Sequence, residues 1–176
     1  MITSLGKKPQ RPSGLVELLL ACHERIRRFT ALAQTIALSR DAPDAEVVEA
    51  CGAVERYFAR ALPLHVADEE ESILPRLRGL DSELDHALTH MHVQHQSHTA
   101  PLARLLGALA AVAAAPEQAA PRAHLAAVAT ELVQTFEEHL MLEESVIFPR
   151  LGQLERHVQD EVLRELRARR AGDESA

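Results

Sequence analysis

His65 and Glu69 stand four positions apart in "HVADEEESILPRL" (65–77), and His139 and Glu143 stand four apart in "HLMLEESVIFPRL" (139–151). The second segment repeats the first at an offset of 74, with seven identities: His65, Glu69, Glu70, Ile73, Pro75, Arg76 and Leu77 recur as His139, Glu143, Glu144, Ile147, Pro149, Arg150 and Leu151. On a helix, residues four apart share a face, so each His/Glu pair points one way. A single such pair on a charged helix reads as a surface ion pair. The neighbours argue otherwise here. Phe58, Leu62 and Ile73 share the stripe of His65, and Leu132, Phe136 and Ile147 share that of His139. His23 lies among Val16, Leu19, Ile26 and Thr30, and His95 has Met91, His98 and Leu102 on its side. These are core stripes of amphipathic helices. Burying two carboxylates together costs several kcal/mol unless they are compensated, and the stripes carry no Lys or Arg. A divalent cation pair would supply the missing charge, and imidazole with carboxylate suits iron, zinc or manganese.

The elements that must position these groups read as all-helical, since Ala, Leu, Glu and Arg dominate and β-type alternation is absent. One helix is expected from Ser13, as N-cap, to about Ser39. A second follows the turn at 41–46 and runs to about Leu74, with Pro63 bending it. Asp81 or Ser82 caps a third over 83–114, bent near Pro101. A fourth spans about 122–148 and stops at Pro149, and a short amphipathic fifth covers 152–170. Short loops favour an up-down-up-down four-helix bundle with a short C-terminal fifth helix. The duplicated motif, with His23 and His95 each 42 to 44 positions before it, suggests two diverged helical hairpins. The organisation expected is a flexible arm (1–12), the bundle (13–152), and a C-terminal helix and tail (153–176).

Bulk properties narrow the function. A formal net charge of −7 argues against nucleic acid as a partner, despite Lys7, Lys8 and Arg11 near the N-terminus. No apolar run has the length of a membrane span. Cys22 and Cys51 form no CxxC pair and fit a reducing, cytoplasmic setting. Aromatic residues make up only 3%, so aliphatic side chains must build the core. A ferritin-like site would need Glu-x-x-His on two helices. Only Glu83 and His86 have that spacing, so this reading is the weaker one. His86, His90, His124 and His157 are expected at the surface, Cys22 in the core, and Asp68, Glu70 and Glu71 on a solvated flank. Glu70 is also placed to hydrogen-bond a neighbouring histidine. Tyr57 lies off the His65 stripe, which gives it no expected redox role.

Four segments together, "ACHERIRRF", "HVADEEESILPRL", "MHVQHQSH" and "HLMLEESVIFPRL", resemble the hemerythrin-like, or HHE cation-binding, family over roughly residues 13–152. The resemblance implies a bundle enclosing two iron ions, bridged by hydroxide or water. By position, His23 and His65 would hold one iron, and His139 with a histidine of the third helix the other. Glu69 and Glu143 would bridge them. The third helix departs from the family's pattern of two histidines four apart. Met91 and Thr99 flank His95 at that spacing, while His92 and His98 lie three away, so His95 is the expected ligand and His92 and His98 are lesser candidates. A five-residue spacing would favour Glu144 as the bridge; Glu143 is preferred because it mirrors Glu69.

The function expected from this resemblance is binding or sensing of a small molecule (dioxygen, nitric oxide or peroxide) at the metal pair, with no catalytic residue assigned. The alternatives are iron handling, including iron–sulfur repair under stress, and a peroxidase-like di-iron enzyme. Zinc or manganese could replace iron. A monomer or homodimer is expected, with the amphipathic fifth helix either packing on the bundle or joining two copies.

Overall fold

The computed structural model describes residues 14–173. The expected arm, the Ser13 cap and the last three residues lie outside that range. Five helices are described: α1 (Leu15–Leu38), α2 (44–77), α3 (Ser82–Ala114), α4 (119–151) and α5 (Arg156–Asp173), with no strand among these residues. The helices α1 to α4 pack in a ring, each against the next and α4 back against α1. Arg27 of α1 pairs with Glu137 of α4, whereas Arg122, at the start of α4, reaches the carbonyls of Ile36 and Ser39 at the end of α1. Such pairings are consistent with the expected alternation of direction. None of the described helices is long and apolar enough to cross a membrane.

Helix boundaries depart from expectation mainly at prolines. α2 runs through Pro63, as expected, but also through Pro75 to Leu77, and α4 runs through Pro149 to Leu151. Each of these prolines is the second residue after a widened π-turn, at Tyr57–Ala61, Asp68–Ile73 and Glu143–Ile147. Proline cannot donate to the carbonyl four residues back and its ring crowds that carbonyl. One extra residue in the preceding turn moves the carbonyl away, so the helix continues where a regular one would stop. α4 also starts earlier than expected, at Ala119, and α5 covers Arg156–Asp173 rather than 152–170. Between α2 and α3, Gly79 takes φ 85°, a left-handed conformation that other residues adopt at a cost. The Asp81 carboxylate then accepts from the Leu84 N–H at 2.9 Å and caps α3.

The core has two apolar clusters. One gathers Ile26, Phe58, Leu62, Leu105, Leu132, Phe136 and Leu140. The other gathers Leu19, Ile73, Leu77, Leu88, Met91, Ile147 and Phe148, and Val162 and Leu166 of α5 pack into it. Along all four ring helices the histidine–glutamate residues fall between these clusters, so a polar layer sits inside an aliphatic bundle.

Candidate metal centre

Six side chains meet in that layer. His23 comes from α1, His65 and Glu69 from α2, His95 from α3, and His139 and Glu143 from α4. They form two overlapping groups, His23–His65–Glu69–Glu143 and Glu69–His95–His139–Glu143, and within each group the candidate ligand atoms lie within 4.8 Å of one another. The two glutamates belong to both. Glu143 turns Oε2 to His23 Nε2 at 3.0 Å and Oε1 to His139 Nε2 at 3.1 Å. Glu69 turns Oε1 to His65 Nε2 and Oε2 to His95 Nε2, each at 3.3 Å. Each carboxylate therefore offers one oxygen to each histidine pair. The described ion-pair partners of Glu69 and Glu143 are histidines alone.

Although these atoms approach closely, they are not aligned for hydrogen bonds. His23 Nε2, His65 Nε2, His95 Nε2 and all four carboxylate oxygens are buried with no hydrogen-bond partner. Native interiors rarely leave polar atoms in that state. Convergent orphaned nitrogens and oxygens on a donor set suited to transition metals fit a bound cation. The model of one family, the hemerythrin HHE cation binding domain, matches residues 14–151.

The chain belongs to that family. No curated protein matches the chain. The matched segment of this hemerythrin domain contains all six clustered residues, and α5 lies beyond it.

Electrostatics sharpen the case. Burial, with the Glu69 charge adding to it, pushes the Glu143 carboxyl up to about 8. Burial likewise holds Glu69 well above the ordinary carboxylate range. Burial lowers His139 to about 2, and keeps His65 well below its ordinary value with the neighbouring rings adding to the effect. The hemerythrin domain without metal thus favours neutral His65 and His139 imidazoles, ready to bind, and protonated Glu69 and Glu143 carboxyls. A cation in the layer reverses the second preference, because its charge favours carboxylate.

An outer ring of residues aims the histidines. Glu144 accepts from His23 Nδ1 at 2.8 Å, and Glu70 lies 2.7 Å from His95 Nδ1. The duplicated Glu-Glu dipeptide therefore works the same way twice: its first residue faces inward and its second holds a histidine of the neighbouring helix. With a proton on Nδ1, each Nε2 presents its lone pair to the centre. Burial opposes ionisation of both outer carboxyls, but their hydrogen bonds prevail and hold them below the usual range, through His95 and His92 for Glu70 and through Arg27 and His23 for Glu144. Gln94 Oε1 lies 3.1 Å from His139 Nδ1. His65 Nδ1 is buried without such a partner.

The structure sorts the lesser candidates. Glu144 belongs to the outer ring rather than to either inner group, and exposed His92 pairs with Glu70 at 2.7 Å. His98 is buried beside the layer but outside both groups. His86, His90, His124 and His157 are exposed, and Cys22 is buried, as expected, and Glu83 is exposed too. Asp68 corrects the solvated-flank expectation: it is fully buried and paired with Arg169 and Arg170 of α5. Arg169 also takes up Glu71 at 3.0 Å. The reading along single stripes missed Arg27, which neutralises Glu144 and Glu137 from one turn beyond His23. It also missed Gln94. Arg27 could have been found as the i+4 neighbour of His23, whereas the reach of Gln94 across helices has no signal in a single sequence.

Proposed function

We propose that this hemerythrin domain holds two iron ions, His23 and His65 holding one, His95 and His139 the other, with Glu69 and Glu143 bridging, and that it binds or senses a small molecule such as dioxygen, nitric oxide or peroxide there. The observation that carries the reading is the orientation of Glu69 and Glu143, each with one oxygen toward each histidine pair. A site for a single ion would not need both carboxylates turned both ways. When bound, a ferrous pair supplies coordination positions and electrons for a small ligand. The protein's own part is to fix the imidazoles through Glu70, Glu144 and Gln94, and to wall the layer with aliphatic side chains above and below. A dry wall excludes water and favours a small, weakly polar ligand.

The experiment is purification under anaerobic conditions with metal analysis, where about two irons per chain are expected, followed by optical titration with dioxygen or nitric oxide. A spectrum that changes and recovers supports binding or sensing. Irreversible loss of iron on oxidation would move the reading to iron handling, and sustained turnover of peroxide would move it to an enzyme. A chain that takes up no iron and melts identically after chelation would overturn the proposal.

A further inference from the structure

Beside the metal layer lies a cavity of about 30 Å³, room for roughly two water-sized molecules. His65, His95 and His139 border it on the side of the layer, and Ile26, Leu62, Leu102 and Phe136 close much of the rest. The remaining polar lining residue is His98, which is only 3% exposed and whose Nε2 is buried without a hydrogen-bond partner. We propose that His98 donates from Nε2 the hydrogen bond that holds a small exogenous ligand, a diatomic or a linear triatomic anion, in this cavity.

Three observations separate this role from that of a metal ligand. His98 belongs to neither convergent group, although it is three residues from His95 and shares its side of α3. Its ring is fixed by its neighbours, edge-on to His139 at a centroid distance of 5.0 Å and tilted against Phe136 at 4.9 Å. Its side chain borders a cavity whose other walls are the inner histidines and hydrocarbon, and its Nε2 is buried without a partner. A donor held rigidly in an apolar chamber is unsatisfied until an acceptor arrives, so the chamber discriminates for ligands that carry a lone pair on the atom away from the metal. Gases of the same size without such an acceptor gain nothing from it.

The inference rests on the two-metal reading above, and the test separates the two. Wild type, His98→Leu and His98→Gln are loaded with iron, analysed for metal per chain, and titrated optically with azide in the ferric state. Equal metal content in all three is expected. Azide affinity should fall about tenfold in His98→Leu, the loss of one hydrogen bond, and recover in part in His98→Gln, whose amide restores a donor. Loss of one metal per chain in His98→Leu would make His98 a ligand and overturn the assignment. So would unchanged azide affinity with full metal content. A wild-type protein without a metal pair would overturn the parent reading as well, and metal analysis shows that before any azide is added.

Discussion

Glu69 and Glu143 sit within a shell of imidazoles with no guanidinium or ammonium among their described ion-pair partners, and that makes them sensitive to pH in a way surface glutamates are not. The Glu143 carboxyl titrates near 8 in the folded chain against an ordinary value of 4.5. The folded state therefore keeps a proton that the unfolded state has already released, and stability is lost as pH rises through that interval. His139, lowered from 6.5 to about 2, acts in the opposite sense, but its contribution is complete above pH 6.5. Between pH 6.5 and 8 the carboxyls alone remain. Glu143 alone should cost metal-free protein on the order of 2 kcal/mol across that window, with Glu69 acting in the same direction, read by urea unfolding at each pH, and bound metal should flatten the slope. Glu143→Gln should remove its own share of that slope without metal, leaving the part due to Glu69, and also lower metal retention, since the amide is a weaker bridge. The inner pairs were legible in the sequence because a duplicated four-residue spacing on apolar stripes leaves few alternatives. Asp68 was not, because its burial depends on Arg169 and Arg170, about 100 positions away along the chain.

At the scale of elements, the three π-turns decide how the helices carry this chemistry. Two of them contain the Glu-Glu dipeptides: Glu69 and Glu70 lie in Asp68–Ile73, and Glu143 and Glu144 open Glu143–Ile147. A wider turn changes the angle between consecutive side chains, which lets one glutamate enter the layer while the next reaches a histidine of the adjacent helix. Pro75 and Pro149 disfavour the regular α alternative at these points. Pro149→Ala should therefore leave helix content and melting temperature nearly unchanged, since the new N–H is easily accommodated. Metal affinity should fall several-fold as α and π forms of the turn compete, and calorimetric titration with ferrous or zinc ion would check this. If affinity holds, the proline has no part in shaping the site. In the sequence these prolines read as helix stops for Pro149 and nearly so for Pro75. Propensity rules describe regular helices, and nothing in a single sequence signals an inserted residue. The periodicity upstream of each proline gave the helices themselves, because aliphatic spacing over several turns is unaffected by one widened turn.

At the scale of the whole molecule, α5 is tied to the bundle by charge as well as by Val162 and Leu166. Asp68 is fully buried, and Arg169 and Arg170 neutralise it while Arg76 pairs with Glu165. Burial still raises Asp68 above its ordinary value, so the two guanidiniums compensate only part of the desolvation. Removing them leaves a buried charge without a partner, which costs about 3–5 kcal/mol. The double substitution Arg169→Ala with Arg170→Ala should show that loss by urea denaturation at neutral pH, and adding Asp68→Asn should recover a good part of it. No recovery would mean that α5 is held by its apolar face alone. A helix at 152–170 was readable from its amphipathic pattern, but its docking was not, since either the bundle or a second copy could have covered it. The described attachment has a practical corollary. The segment that defines the family ends at 151, one residue before the chain turns toward α5. Anyone who excised that segment as a ready-made module would cut away the counter-charges of the residue next to Glu69, so the portion shared with relatives and the portion able to stand alone are two different lengths of chain.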